Sequence, residues 1–507
     1  MLTTSSVTVG AVVNVSLLEF VLGGKRDYTR WELSGPVFDI GFQELQRDYG
    51  GTLNFTQVRF FNLTYTSCWN LGEMPVLWAS ENYYNDPSNS TVRAIFGTGC
   101  PVSTDTLSDL AREWNIPYMI PMVGGPGDKS RFPTITSLAP LTWTDMDRNA
   151  SVITRLMVAN NWTSVGYLCS STGPSYECRL RFDQHSEFRV NKRIYQFNLD
   201  SESVDNIKFA LDTMKAQTNV IVIVAFKNLI RSIMMAAAEL GMTNGDYVFY
   251  AFDYYDAPIG ESLPLGTRPW MIDGLNDHEE EAKLAYRSLF VVSLANVKTP
   301  EHDRFSQDVK SLAARQYNYT YSENENINPF AMSEYYAMKI LGVVLNETVT
   351  IDGVAAASDG AGLSKRMWNR TYNILGRQIV LDENGDRVAD WVVNQLDPGG
   401  NAFRPVLQWS SSMKIFTAVT EEDGTPRQIV WYNRTSLPAD RTFPADNHDS
   451  TDSGTQRGTP AVAIGCSFMA VILLVAIVLA VFYRKIIWNK LRPAGFGIPP
   501  VLFRNEI

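Results

Sequence analysis

The side chains able to do chemistry are sparse and scattered. The four histidines, His185, His278, His302 and His448, stand far apart, and none forms a metal-ligand spacing. Five cysteines are present: Cys68, Cys100, Cys169, Cys178 and Cys466. No Cys-X-X-Cys occurs, which argues against redox catalysis and zinc. There is no Walker A loop, no kinase HRD or DFG set, and no G-X-S-X-G elbow. DGAGLSK, beginning at Asp359, has its glycines and lysine wrongly spaced for a phosphate loop. Asp382–Asp386 misplaces the glycine of a calcium loop and lacks flanking helices. No catalytic residue, metal site or cofactor is therefore expected, and the chain is read as non-enzymatic.

One kind of chemistry is abundant, the carboxamide of Asn-X-Ser/Thr. Ten such sites occur: Asn14, Asn54, Asn62, Asn89, Asn149, Asn161, Asn318, Asn346, Asn369 and Asn433. All ten precede Ala461–Tyr483, a stretch of 23 residues without a charge. At about 1.5 Å per residue such a helix matches the hydrocarbon core of a bilayer. Arg484, Lys485, Lys490 and Arg492 follow it, which places the C-terminus in the cytoplasm by the positive-inside rule. The sequons then fall on the outer side. Four cysteines lie there, an even number that permits three pairings. Cys68–Cys100 and Cys169–Cys178 are favoured because each falls within one proposed lobe. The opening MLTTSSVTVGAVVNVSLLEF has no basic n-region and reads as a first strand rather than a signal peptide. The formal net charge of −10 argues against nucleic-acid partners.

The elements that position these residues alternate in type. Apolar β-branched runs at Val7–Val15, Val92–Phe96, Val165–Cys169 and Val220–Phe226 read as buried parallel strands. Helical patterns over Trp31–Tyr49, Thr104–Trp114, Asn149–Ala159, Val204–Gln217 and Asn228–Leu240 separate them. This predicts α/β architecture: two doubly wound, Rossmann-like lobes, because about 435 residues exceed the usual size of one core. Lobe one is expected over 1–150 and 300–375, lobe two over 151–299 and 376–435. A crossing is expected near Leu289–Pro300, then a long helix, Asn328–Val349. In RQIVLDENGDRVADWVV two strands meet at Asn384-Gly385 as a hairpin. Residues 436–460 read as a stalk, 461–483 as the membrane helix and 484–507 as a short cytoplasmic tail. Doubly wound folds bind ligands beyond the C-terminal ends of their strands. That points to Gly97–Cys100 (Gly97, Gly99 and Cys100), Val123–Gly125, Ser170–Thr172 (with Ser171) and Phe252–Tyr254 (with Asp253 and Tyr254) as pocket positions.

Six stretches in order resemble one family. They are WELSGPVFDIGFQELQRDYG, GTGCPVSTDTLSDLAREWNIPYMIPMVGG, RFPTITSLAP, NNWTSVGYL, SEYYAMKILGVVLNET and LDENGDR. They are similar to the type I periplasmic-binding-protein-like ectodomains of natriuretic peptide receptors and receptor guanylyl cyclases. The resemblance covers about residues 7–435. It implies a clamshell that forms a homodimer and binds an extracellular ligand, usually a peptide hormone. In some members chloride binds near the turn that corresponds to Gly97, Gly99 and Cys100. The expectation is a single-pass plasma-membrane receptor, N-terminus outside, for a peptide or small molecule. Its short tail resembles the clearance type. The alternative is the front part of a receptor guanylyl cyclase.

Overall fold

A computed structural model describes residues 12–440, apart from 22–30, 62–72, 86–91, 98–100, 122–127, 140–151, 154, 171–192, 199–202, 226, 253–269, 272–277, 296–298, 323–324, 398, 401, 411–412, 414, 422 and 433–435. The expected stalk beyond 440, the membrane helix and the tail lie outside these. Among the described residues no helix is long and apolar enough to cross a membrane.

Two sheets carry the fold, the first all parallel and the second parallel with an antiparallel extension. The first has the order β2-β1-β3-β4-β5, built from β1 (Val13–Val21), β2 (Leu53–Phe61), β3 (Val92–Phe96), β4 (Tyr118–Ile120) and β5 (Ile135–Ser137). Helices α1 (Trp31–Tyr49), α2 (Met74–Asn85) and α3 (Pro101–Glu113) make its crossovers. Alternate residues of β1 serve opposite faces. Val13, Val15 and Leu17 enter the core beneath α1, while Leu18 and Phe20 enter the core with Leu107 of α3. β1 runs six residues past the expected Val15, because Ser16 and Glu19 are buried and do not interrupt it.

The second sheet begins with β6 (Ser164–Cys169), β7 (Arg193–Asn198), β8 (Val220–Val224), β9 (Val248–Phe252) and β10 (Leu289–Leu294), all parallel. Antiparallel β14 (Trp391–Leu396), β15 (Phe403–Ser410) and β16 (Ile415–Ala418) extend it to the order β16-β15-β14-β10-β9-β8-β6-β7. Helices α4 (Val204–Lys215) and α5 (Lys227–Glu239) cover one face, and α6 (Glu279–Ala285) follows them. Ser203 caps α4 by accepting from the Asn206 amide, which explains why that helix starts where the sequence pattern places it.

After β10 the chain returns to the first lobe through α7 (Pro300–Gln316) and α8 (Pro329–Asp352). Thr299 caps α7 with Pro300 in its first turn, and Asn328 caps α8 with Pro329 behind it. Two short helices follow, α9 (Val354–Ala357) and α10 (Gly360–Met367). Then comes a small sheet of β11 (Arg370–Ile374), β12 (Arg377–Leu381) and β13 (Arg387–Val388).

The expected hairpin at Asn384-Gly385 is present, with one correction. RVADWVV is not one strand: β13 pairs with β12, while β14 pairs with β10 in the second sheet. The chain changes lobes at Ala389–Asp390. The expected boundary at 375/376 moves there because Ile379 and Leu381 pack into the first core. The boundary at 435/436 also moves. The Trp162 indole donates to Pro438 O at 2.8 Å, Asn219 donates to Ala439 O at 2.6 Å, and the Thr163 amide donates to Asp440 at 3.0 Å. Residues 438–440 therefore belong to the folded body.

Candidate functional site

The C-terminal edges of the strands are where a doubly wound fold can present a ligand site. On the second sheet the edge holds Ser170 after β6, Ala225 after β8 and Phe252 at the end of β9. The Ser170 amide donates to Val224 O at 3.1 Å, which continues the ladder one residue past the strand and leaves the serine 4% exposed. The expected Ser170 and Phe252 thus share one edge with one strand between them. Ser171, Thr172, Asp253 and Tyr254 lie outside the described residues.

On the first sheet the expected Gly97 follows β3, buried, with φ +92°. A Cβ there would stand 2.5 Å from Phe20 O, so the turn that leads to α3 requires glycine. Gly99, Cys100 and Val123–Gly125 lie outside the described residues. Cys169, at the end of β6, is disulfide-bonded, and the other four cysteines lie outside the described residues.

The same region contains a charged cluster that the motif search missed. Parallel pairing of β1 with β2 puts Glu19 opposite Arg59. Arg59 Nε donates to Glu19 Oε2, and its Nη2 donates to Asp39 of α1 at 2.8 Å. Its guanidinium lies over the Trp31 ring at 4.6 Å, and the Tyr317 hydroxyl closes the group by donating to Asp39. Gln57 donates to Glu19 at 3.0 Å. Glu334 of α8 is also buried here, 3% exposed. Burial pushes the Glu19 carboxyl up to about 7 even though Arg59 pulls it down. Burial, then the Glu19 charge, raises Glu334 well above the ordinary carboxylate range. Burial works against the Arg59 charge, but Glu19, Tyr317 and Asp39 more than offset it. The available signal was one acid in the apolar run VNVSLLEFV, with one arginine in the neighbouring strand. Their pairing depends on register, which no motif reports.

Other acid- and glycine-rich stretches are internally satisfied. The α10 amides of Gly360 and Ala361 donate to Asn115 O (3.1 Å) and Asn115 Oδ1 (2.9 Å), and Gly362 donates to Asp359 (3.1 Å). Asp382 accepts from the Asn384 and Asp386 amides, and Asp386 pairs with Lys129 at 3.1 Å. The backbone amides that open α10 and the Asp382 and Asp386 carboxylates are thus engaged within the fold.

Of the sequons, Asn14, Asn54, Asn161, Asn318 and Asn369 are exposed and Asn346 is half-buried on α8. Asn62, Asn89, Asn149 and Asn433 lie outside the described residues. Asn161, Asn318 and Asn369 have φ of 56°, 52° and 51°, the left-handed turn that asparagine tolerates better than most residues.

The chain is 34% identical over 257 residues to "Receptor-type guanylate cyclase gcy-28" of Caenorhabditis elegans, covering 48% of this chain and 20% of that protein. It is 26% identical over 306 residues to human "Atrial natriuretic peptide receptor 3", covering 59% of this chain and 53% of that one. Against human "Atrial natriuretic peptide receptor 2" it is 23% identical over 383 residues, 72% of this chain and 33% of the relative. The chain thus spans from a fifth to about half of the length of these relatives. Residues 61–399, which run from the end of β2 to the turn after β14, match the receptor family ligand-binding region. Two lobes built on largely parallel sheets, joined by several crossings, are the architecture in which that match lies, and the chain belongs to the receptor family ligand-binding region.

Proposed function

We propose that this chain is the ligand-binding part of a cell-surface receptor for an extracellular ligand, a peptide hormone in the first instance. The observation that supports this most is the family match across both lobes, together with relatives whose names are those of atrial natriuretic peptide receptors. In this reading Ala461–Tyr483 spans the plasma membrane, the sequons face outward and the receptor works as a homodimer. A ligand acts by preferring one lobe arrangement over another, since it can shift such an equilibrium only through its differential affinity. Gly97 and the turn that leads into α3 would hold chloride, since the N-terminal end of a helix favours an anion. The test is binding of a natriuretic-type peptide panel to cells expressing the full chain. Saturable binding supports the reading. A glycosylated, surface-displayed chain that binds no peptide overturns it.

A second reading is favoured by the 34% identity to a receptor-type guanylate cyclase: this sequence is the outer part of such an enzyme. Sequencing the mature message through the codon for Ile507 decides it. A stop codon there rejects the cyclase reading.

A further inference from the structure

Glu334 stands where the two lobes meet. Phe330, one turn earlier on the same face of α8, packs with Trp391 and Val393 in the core of the second sheet. Tyr335, Met338 and Leu341, further along α8, pack in the core of the first. The N-terminal turns of α8 therefore bridge the lobes, and Glu334 is the acid at that bridge. Glu19 Oε1 and Glu334 Oε2 are buried and have no hydrogen-bond partner among the described residues.

The groups facing this joint are few. β1 supplies Glu19 and β2 supplies Arg59 and Gln57, while α1 supplies Asp39 and the residue after α7 is Tyr317. From the small sheet, Arg387 donates to Ser333 at 3.3 Å and Arg377 to Tyr336 at 3.5 Å, both on α8. Lys339 is bound further along by Glu44 and Asp48. Among the described residues, the cluster sets one direct cation, Arg59, against three acids, Glu19, Asp39 and Glu334, and that cation is engaged by Glu19 and Asp39.

We propose that Glu19 and Glu334 form a proton-operated latch between α8 and the first sheet: protonated, they keep the N-terminal turns of α8 docked across the two lobes, and ionised, they repel and loosen that bridge. The sign follows from the folded state. Both acids are raised, Glu19 to about 7 from an ordinary 4.5. The docked state then binds more protons than the loosened one and gains relative stability as pH falls through that range. The lobe arrangement would differ between a neutral exterior and a mildly acidic compartment.

Hydrogen exchange on the full chain in detergent micelles, corrected for intrinsic rates, tests this at the amides of 330–339. The expected result is at least about tenfold greater protection at about pH 5.5 than at about pH 8, the change that one unit of pKa difference supports. In the double variant Glu19→Gln, Glu334→Gln the dependence should fall below about twofold, with α8 protected at both pH values. If the double variant does not fold, Glu19→Gln alone decides: it removes one of the two titrating acids and the charge that adds to the burial of Glu334, so the dependence should shrink measurably without vanishing. Unchanged pH dependence in a folded variant, or none in the wild-type chain, overturns the latch. The test involves no hormone, so it stands or falls separately from the receptor reading.

Discussion

Asn54 donates its side-chain amide to the Asn14 carboxamide oxygen at 2.9 Å, and the register of β1 with β2 sets the two directly opposite each other. Both begin sequons. A sugar on Asn54 would be carried by the same nitrogen that makes this bond, leaving it one hydrogen, and neighbouring strands stand about 4.8 Å apart. Two glycans rooted at that spacing crowd each other. Intact-mass counting of surface-expressed protein should show that Asn14→Gln plus Asn54→Gln removes one glycan. Loss of two would show that the strands tolerate both.

Arg59 offsets buried acids, so its removal should cost more than a surface charge. Leaving Glu19 and Asp39 without their partner is expected to cost about 3–5 kcal/mol in Arg59→Ala. The loss should be greater at neutral than at mildly acidic pH, because a protonated Glu19 no longer needs a cation. For a buried acid raised above its unfolded value, stability falls as pH rises through that interval. Thermal denaturation at several pH values measures it, and a loss independent of pH would contradict the assignment.

Gly385 and Gly241 share positive φ, +74° and +69°, but differ in surroundings. A Cβ on Gly385 would lie 2.1 Å from Trp368 Nε1, whereas nothing stands within 4 Å of one on Gly241. Alanine at either should cost about 1 kcal/mol or more from backbone strain. Gly385→Ala should cost appreciably more, since the Trp368 indole is held by donation to Thr136 at 3.0 Å. Equal denaturant midpoints for the two variants would mean that the indole yields freely.

Lys129 and Asp386 are paired with side chains 7% and 4% exposed. Lys129→Met should destabilise by about 3–5 kcal/mol by taking its cation from the buried carboxylate. Adding Asp386→Asn should recover part of that loss. A double variant no better than the single would place the cost in packing instead.

Legibility from sequence followed how local the signal was. Helix α1, Trp31–Tyr49, and strand β3, Val92–Phe96, were readable to the residue because each has an apolar pattern bounded by turns. The reach of β1 past Val15 was hidden, since Ser16 and Glu19 look like a strand's end and are buried. RVADWVV reads as one strand although its halves join different sheets, a distinction made by partners far away in sequence. The edge positions Gly97, Ser170 and Phe252 followed from a topological rule. The Glu19–Arg59–Glu334 cluster did not, because it depends on strand register and on a helix that arrives some 300 residues later.

Residues 438–440 are fastened to Trp162, Thr163 and Asn219 at the roots of β6 and β8. Ser170 and Phe252 occupy the far tips of that same sheet. Residues 438–440 are thus moored to the floor of the second lobe, at the end of the strands opposite Ser170 and Phe252. The tips and the mooring are therefore opposite ends of the same paired strands, and one set of ladder hydrogen bonds lies between them.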